Sequence, residues 1–178
     1  MKGSRIALIS AVVVGVIVLL LVIVLATRDP AADRVTRSPL ISKPAPPIAG
    51  RTIEGQPFDL SRYEGEWVVV NFFATWCGPC KQEHPELVKL AQGDVTNVVS
   101  VVFQDDPGTV KAFLKEHGGH WPVINDPTGK ITLEYGVPKI PESYLIAPDG
   151  TVVAKFISGI EANAVTKLIS SFSGRAHR

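Results

Sequence analysis

The chain of 178 residues has only two cysteines and almost no net charge. Two thiols cannot build the multi-bridge framework that holds small secreted domains together, so the fold must rest on an apolar core and the pair is free for chemistry. Eighteen Lys and Arg stand against seventeen Asp and Glu. Phosphate binding needs a concentrated basic face, so nucleic acid is not an expected partner. There is no second CxxC and no H-x3-H spacing, which argues against a tetrahedral structural zinc site, and no metal is expected. No internal repeat is present. Charge is missing altogether from residues 6–26, IALISAVVVGVIVLLLVIVLA.

At 1.5 Å per residue that uncharged run covers about 30 Å, the hydrocarbon thickness of a bilayer. It is read as one transmembrane helix within an anchor over residues 1–27. The competing reading is a cleaved signal peptide, with Lys2 and Arg5 as its basic start and Val24-Leu25-Ala26 as a tolerable cleavage site. Its apolar part would be longer than the usual length of about 7–15 residues. Arg28, Arg34 and Arg37 after the run nearly balance Lys2 and Arg5 before it, so charge counting leaves the orientation open. Residues 28–47 carry Pro30, Pro39, Pro44, Pro46 and Pro47 without apolar periodicity and read as an extended Pro-rich linker. A folded domain is expected over 48–174.

Within that domain, Thr52-Ile53 and Phe58-Leu60 flank Glu54-Gly55-Gln56 as a short hairpin, with a turn near Ser61. Val68–Phe73 is β-branched and aromatic almost throughout, as expected of a strand buried on both faces. Helical spacing follows through Leu87, Val88, Leu90 and Ala91, with Pro85 expected to bend that helix. NVVSVVF, 97–103, is a second buried strand, and 107–117 is a helix burying Val110, Phe113 and Leu114. A short strand at Val123-Ile124 and a helix over 128–135 come next. SYLIA and TVVAKFIS flank Pro148-Asp149-Gly150 as an antiparallel hairpin, and a last helix over 161–172 buries Val165, Leu168 and Ile169.

Both cysteines, Cys77 and Cys80, lie between the first buried strand and its helix, separated only by Gly78 and Pro79. The unpaired N–H groups of a helix's first turn favour negative charge, hence thiolate at Cys77. Spacing places Cys77 outward at the turn as the nucleophile, with Cys80 one turn deeper to resolve the bond. Pro79 removes a donor the first turn could not use, and Gly78 admits another chain. Trp76, just before the nucleophile, offers an apolar wall to a partner; core packing suits Trp67 and Trp121 better.

The segment VVVNFFATWCGPC, followed by Cys80-Lys81-Gln82-Glu83-His84-Pro85, resembles the active site of the thioredoxin superfamily, and within it the membrane-anchored TlpA, ResA and CcmG/DsbE-type thiol-disulfide oxidoreductases. The likeness runs from about Ala45 to Leu168 and includes GVPKIPESYLIAPDG, 136–150. It implies a thioredoxin-like α/β fold, a central mixed β-sheet flanked by helices, tethered by one N-terminal membrane helix with the N-terminus inside. It also implies a cis bond before Pro141, which would leave Ile140 with peptide groups for a substrate strand. Glu142, after that proline, is expected to select substrates, as in the cytochrome c maturation branch.

Glu83 lies about 60° round from Cys80 within one helical turn. Two readings stand: a solvated first-turn glutamate, or the base that serves the resolving thiol, with burial raising its pKa. Asn71 occupies the place where thioredoxin carries a buried aspartate, and an amide cannot take a proton, which favours the second. His84, on the same face, admits a rival of another class: a soft-metal site of Cys77, Cys80 and His84 in a copper-binding assembly factor. A packed core histidine is the simpler reading. His117 and His120 are assigned no role.

The expected activity is dithiol–disulfide exchange, needing no cofactor. CGPC is also thioredoxin's motif, for which the potential is about −270 mV against about −120 mV for a strong oxidant, so a reductant is favoured. The resemblance further implies reduction of the haem-attachment cysteines of apocytochrome c at the outer face of the cell membrane, with electrons from a membrane thiol carrier. A general extracytoplasmic disulfide reductase, or an oxidant, is the alternative.

Overall fold

A computed structural model describes residues 2–27 and 38–173, with side-chain surroundings for 11–24 and 38–173. Residues 28–37, the first half of the expected linker with Arg28, Arg34 and Arg37, lie outside the described residues. The chain divides into two units, Met1–Pro30 and Ala31–Arg178.

The first unit is helix α1, Lys2–Thr27. Val12 through Val24 expose their side chains. Among the residues whose side-chain surroundings are described, no helix is long and apolar enough to cross a membrane; residues 11–24 of α1 measure about 21 Å, against about 30 Å of hydrocarbon.

The second unit is a thioredoxin-like α/β domain. A five-stranded mixed sheet has the order β5-β4-β3-β6-β7, built from β3 (Val68–Phe73), β4 (Asn97–Phe103), β5 (Val123–Asp126), β6 (Glu142–Ile146) and β7 (Val152–Ile157). β3 runs parallel to β4 and antiparallel to β6. Every residue of β3 is buried, as its apolar run requires of a central strand. Side chains alternate across the sheet. Val68, Val70 and Phe72 enter one core with Phe58, Val110, Phe113, Tyr135 and Tyr144. Val69 enters the other with Leu87 and Leu90 of α2 (Gly78–Gln92) and Val165 and Ile169 of α5 (Ala162–Ser173). Asn71 therefore shares the α2 face with Val69, the one polar side chain within β3.

The helix α3, Pro107–His117, starts and ends where periodicity places it, with Asp106 accepting from Thr109 N at 2.8 Å as its cap. Three segments differ from expectation. Pairing in the first hairpin lies in β1 (Ala49–Arg51) and β2 (Pro57–Asp59). Thr52 and Ile53 instead reach the edge strand β5, Ile53 N donating to Val123 O at 2.8 Å. The helix expected over 128–135 shrinks to α4, Lys130–Glu134, because Gly129 enters it at φ +72° and buried Asp126 takes Thr132 N and Oγ1 at 2.9 and 2.8 Å. Leu133 is left 79% exposed while Tyr135 is buried. In α5, Leu168 is only partly buried.

Composition alone reads 38–47 as linker, yet the domain takes it in. Ser42 N donates to Val152 O at 2.8 Å, Val152 N to Lys43 O at 2.9 Å and Ala45 N to Gly150 O at 2.9 Å, while Leu40 and Ile41 pack on the core. The unpaired edge of β7 is thereby covered, as β1–β2 covers that of β5. Phe72, fully buried with its ring 5.0 Å from Tyr135 and 6.0 Å from Tyr144, is central to this packing. Phe72→Ala is expected to lower the unfolding free energy by about 3–5 kcal/mol in urea titration.

Candidate redox site

β3 ends at Phe73 and the chain turns through Ala74–Cys77 into α2, with Cys77 N donating to Ala74 O at 3.2 Å. Cys77 is the N-cap of α2: its Sγ accepts from Cys80 N at 3.2 Å, satisfying one of the free donors of the first turn. Cys77 and Cys80 are joined as a disulfide with Cα atoms 5.3 Å apart. The outward placement expected of Cys77 is corrected: it is 6% exposed and Cys80 3%. What distinguishes them is what they face. Cys77 lines a groove of about 670 Å³ together with Trp76, Phe103, Gln104, Leu133, Val137, Lys139 and Ile140; Cys80 does not reach it.

Trp76 is 59% exposed and forms one wall of that groove. Trp67 is partly buried, as is Trp121, whose Nε1 donates to Ser100 Oγ at 2.9 Å. The Ile140–Pro141 bond is cis, and the Ile140 carbonyl oxygen lies 3.8 Å from Cys77 Sγ. Phe103 and Leu133, which line the same groove, read in sequence as strand and helix positions without a role. Their pattern holds no signal for the groove, since only the packing of α4 against β4 brings them to it.

Glu83 is 5% exposed and far from a solvated first-turn glutamate. Its Oε1 accepts from Asn71 Nδ2 at 2.8 Å and its Oε2 from Ile160 N at 3.1 Å, and Asn71 Nδ2 also donates to Ser143 Oγ at 3.0 Å. The carboxylate thus ties α2 to β3 and to the chain after β7, and Asn71 extends the tie to β6. Asparagine suits position 71 physically: its amide donates to Glu83, where an aspartate would set two carboxylates against each other.

Glu142 departs from the expectation that its carboxylate meets a substrate. It is 5% exposed, and Lys155 Nζ lies 2.8 Å from its Oε2, a close ion-pair contact rather than a directional hydrogen bond. Burial raises its pKa, with Lys155 offsetting part of the rise. Lys155 of β7 has no signal in sequence, because the antiparallel register of β6 and β7 alone brings it there.

His84 is buried and turned to the loop after α3. Its Nε2 lies 2.7 Å from Gly118 O and its ring packs 4.8 Å from Phe113 and 5.5 Å from Trp121. It is a packed histidine, which removes the third ligand from the copper reading. Among the described residues no group of three or more His, Cys, Asp and Glu is placed to hold a metal ion.

The AhpC/TSA family matches residues 41–155. Thiol:disulfide interchange protein CycY of Rhizobium leguminosarum bv. viciae is 38% identical over 112 residues, 62% of this chain and 60% of that protein. HelX of Rhodobacter capsulatus, also a thiol:disulfide interchange protein, is 32% identical over 133 residues, 73% of this chain and 75% of that one. Among solved structures, a thiol:disulfide interchange protein of the thioredoxin family from Chlorobium tepidum TLS superposes with a TM-score of 0.66 at 25% identity, covering 76% of this chain and 98% of that one.

Burial lowers the His84 pKa, the Gly118 carbonyl acting against it and His117 adding to it. The unfolded chain takes up this proton near pH 6.5, before the folded one does. The stability that depends on a neutral ring is present above that pH and is lost as pH falls through the lower folded-state value. The urea midpoint is therefore expected to fall below pH 6.5, with a shallower pH slope in His84→Gln.

Proposed function

We propose, since the chain belongs to the AhpC/TSA family and to its TlpA, ResA and CcmG (DsbE) type of thiol-disulfide oxidoreductase, that it is a membrane-tethered extracytoplasmic reductase acting in cytochrome c maturation. The observation that carries the exchange chemistry is the Cys77–Cys80 disulfide at the start of α2, with the Cys77 sulfur opening on an apolar groove beside the Ile140 peptide. The tether rests on the uncharged run within α1.

In the reduced protein, Cys77 thiolate attacks one sulfur of the partner's disulfide. A mixed disulfide forms and the partner's other sulfur leaves as thiolate. Cys80, having given up its proton, attacks Cys77 Sγ; the mixed bond breaks, the partner departs as a dithiol with two electrons, and the Cys77–Cys80 bond closes. A membrane thiol carrier restores the dithiol. Trp76, Ile140 and Pro141 hold the partner segment: an exposed indole on one side, and on the other a peptide group within reach of an added strand. Glu83, one turn beyond Cys80 and screened from water, takes the proton of the resolving thiol. The groove is mostly apolar with Lys139 at its rim, which suits an unfolded polypeptide carrying its disulfide in an apolar segment. Apocytochrome c with paired haem-attachment cysteines is such a substrate, and an oxidising compartment would leave those cysteines paired.

Cys80→Ser removes the resolving step and is expected to accumulate covalent complexes through Cys77 in the membrane fraction, with c-type cytochromes among the trapped proteins. Many secreted proteins and no c-type cytochrome would point to a general reductase or oxidant. Recovery of the intact protein only in the soluble fraction would remove the tether.

Glu83→Gln keeps the shape and an acceptor for Asn71 but cannot take a proton. Resolution of the mixed disulfide is expected to slow about 10²-fold or more, with a shifted pH profile and an unchanged fold. An unchanged profile would leave Glu83 a structural tie.

A further inference from the structure

The turn that carries Trp76 and Cys77 is fastened by a residue from another strand. Asp105, at the exit of β4, directs its Oδ2 at Thr75, accepting from both Thr75 N and Thr75 Oγ1 at 2.6 Å, while its Oδ1 accepts from Asp106 N at 2.8 Å. Thr75 is buried, and Asp105 is half-buried between the turn and the start of α3. The two neighbouring aspartates serve different segments: exposed Asp106 caps α3, whereas Asp105 points back across the sheet.

The backbone is bent to achieve this. Gln104, immediately before Asp105, has φ +45°, in the left-handed region that side chains other than asparagine, aspartate and glycine rarely adopt. Its N–H is held by Asp126 O at 3.3 Å. Strained backbone of this kind persists where the surroundings over-determine it, commonly at functional sites. Neither hydrogen bond to Thr75 closes an element of secondary structure, so the fold has other ways to end β4.

We propose that Asp105 is a positioning residue for Cys77: it fixes the turn through Thr75, and its fixed negative charge opposes the pull of the α2 N-terminus on the Cys77 thiolate, making the pair more reducing. Thr75 is two residues from Cys77, at most about 7.6 Å between Cα atoms, and the Asp105 carboxylate that holds it is half-buried, so its charge is screened less than that of a fully exposed group. A less stabilised thiolate means a less stabilised dithiol, the opposite of the device that makes a strong oxidant. The other charged groups about Cys77 are Lys139 across the groove, Lys81 on the exposed side of α2, Glu83 on its buried side and the Glu142–Lys155 pair beyond Pro141; all stay in place in the variants below.

This inference rests on the exchange reading of Cys77–Cys80. Its test uses the full chain, reduced, with two measurements: the thiolate absorbance of Cys77 against pH, and the redox equilibrium with glutathione. Asp105→Asn keeps an acceptor for Thr75 and removes the charge. The Cys77 pKa is expected to fall and the equilibrium to move toward the dithiol by roughly tenfold, about 30 mV for a two-electron couple. Thr75→Ala keeps the charge and removes one of the donors that neutralise it, so the Cys77 pKa is expected to rise. Asp105→Asn with both quantities within about twofold of the parent overturns the proposal. So does a fall in Thr75→Ala, which would make loosening of the turn, not charge, the cause. If Asp105→Asn does not fold, Thr75→Ala decides alone: a rise supports the charge effect, and no change or a fall overturns it. Failure of the parent itself to equilibrate with glutathione would instead strike the exchange reading.

Discussion

The structure depends on a single transition: a strand with no exposed residue must end and, within four residues, become a helix whose first turn carries two sulfurs. A buried strand end leaves peptide groups that water cannot reach, and a helix start leaves N–H groups without carbonyl partners. Both are settled at the turn itself, with Asp105 from the exit of β4 taking the Thr75 N–H. The Ala74 carbonyl takes the Cys77 N–H, and the Cys77 sulfur takes that of Cys80. The nucleophilic atom is therefore also the helix cap, and the field of the helix start acts on it at contact distance.

Behind this transition the protein places buried polar groups, and their arrangement makes the turn specific. Asn71 is the one interruption in the apolar face of β3, and it meets Glu83 from α2, which in turn holds the chain leading into α5 through Ile160. A buried carboxylate with amide donors on both oxygens is far less costly than an unpaired one. The Glu142–Lys155 pair does the same for the strand after Pro141. Buried ion pairs are weak contributors to stability, but removing one partner leaves an uncompensated charge in the interior. The two carboxylates flank the redox pair from α2 and β6, and neither opens freely to solvent.

The groove shows how little of a binding surface belongs to one element. Trp76 comes from the turn, Phe103 from β4, Leu133 from α4 and Ile140 from the loop before β6. Gly129 allows their approach: at φ +72°, a Cβ there would stand 2.8 Å from the Phe103 ring. The shortening of α4 is thus coupled to the shape of the surface beside Cys77.

Elements whose signal is local are legible in the amino-acid order alone. β-branched runs set β3 and β4, Pro107 and the following apolar spacing set α3, and the CxxC between a buried strand and a helix identifies the redox pair, because backbone propensity and side-chain periodicity act over a few residues. Which side chains meet is a matter of packing in three dimensions. Nothing near Lys155 marks it as the partner of Glu142, nor Asp105 as that of Thr75, since strand register and the parallel crossover between β3 and β4 join residues far apart in the chain. Burial escapes a local reading for the same reason. Spacing places Cys77 outward on its turn, yet Ile140 from a distant loop covers it; Ser38–Pro47 reads as linker, yet it lies along the edge of β7, where open backbone groups of another strand await partners.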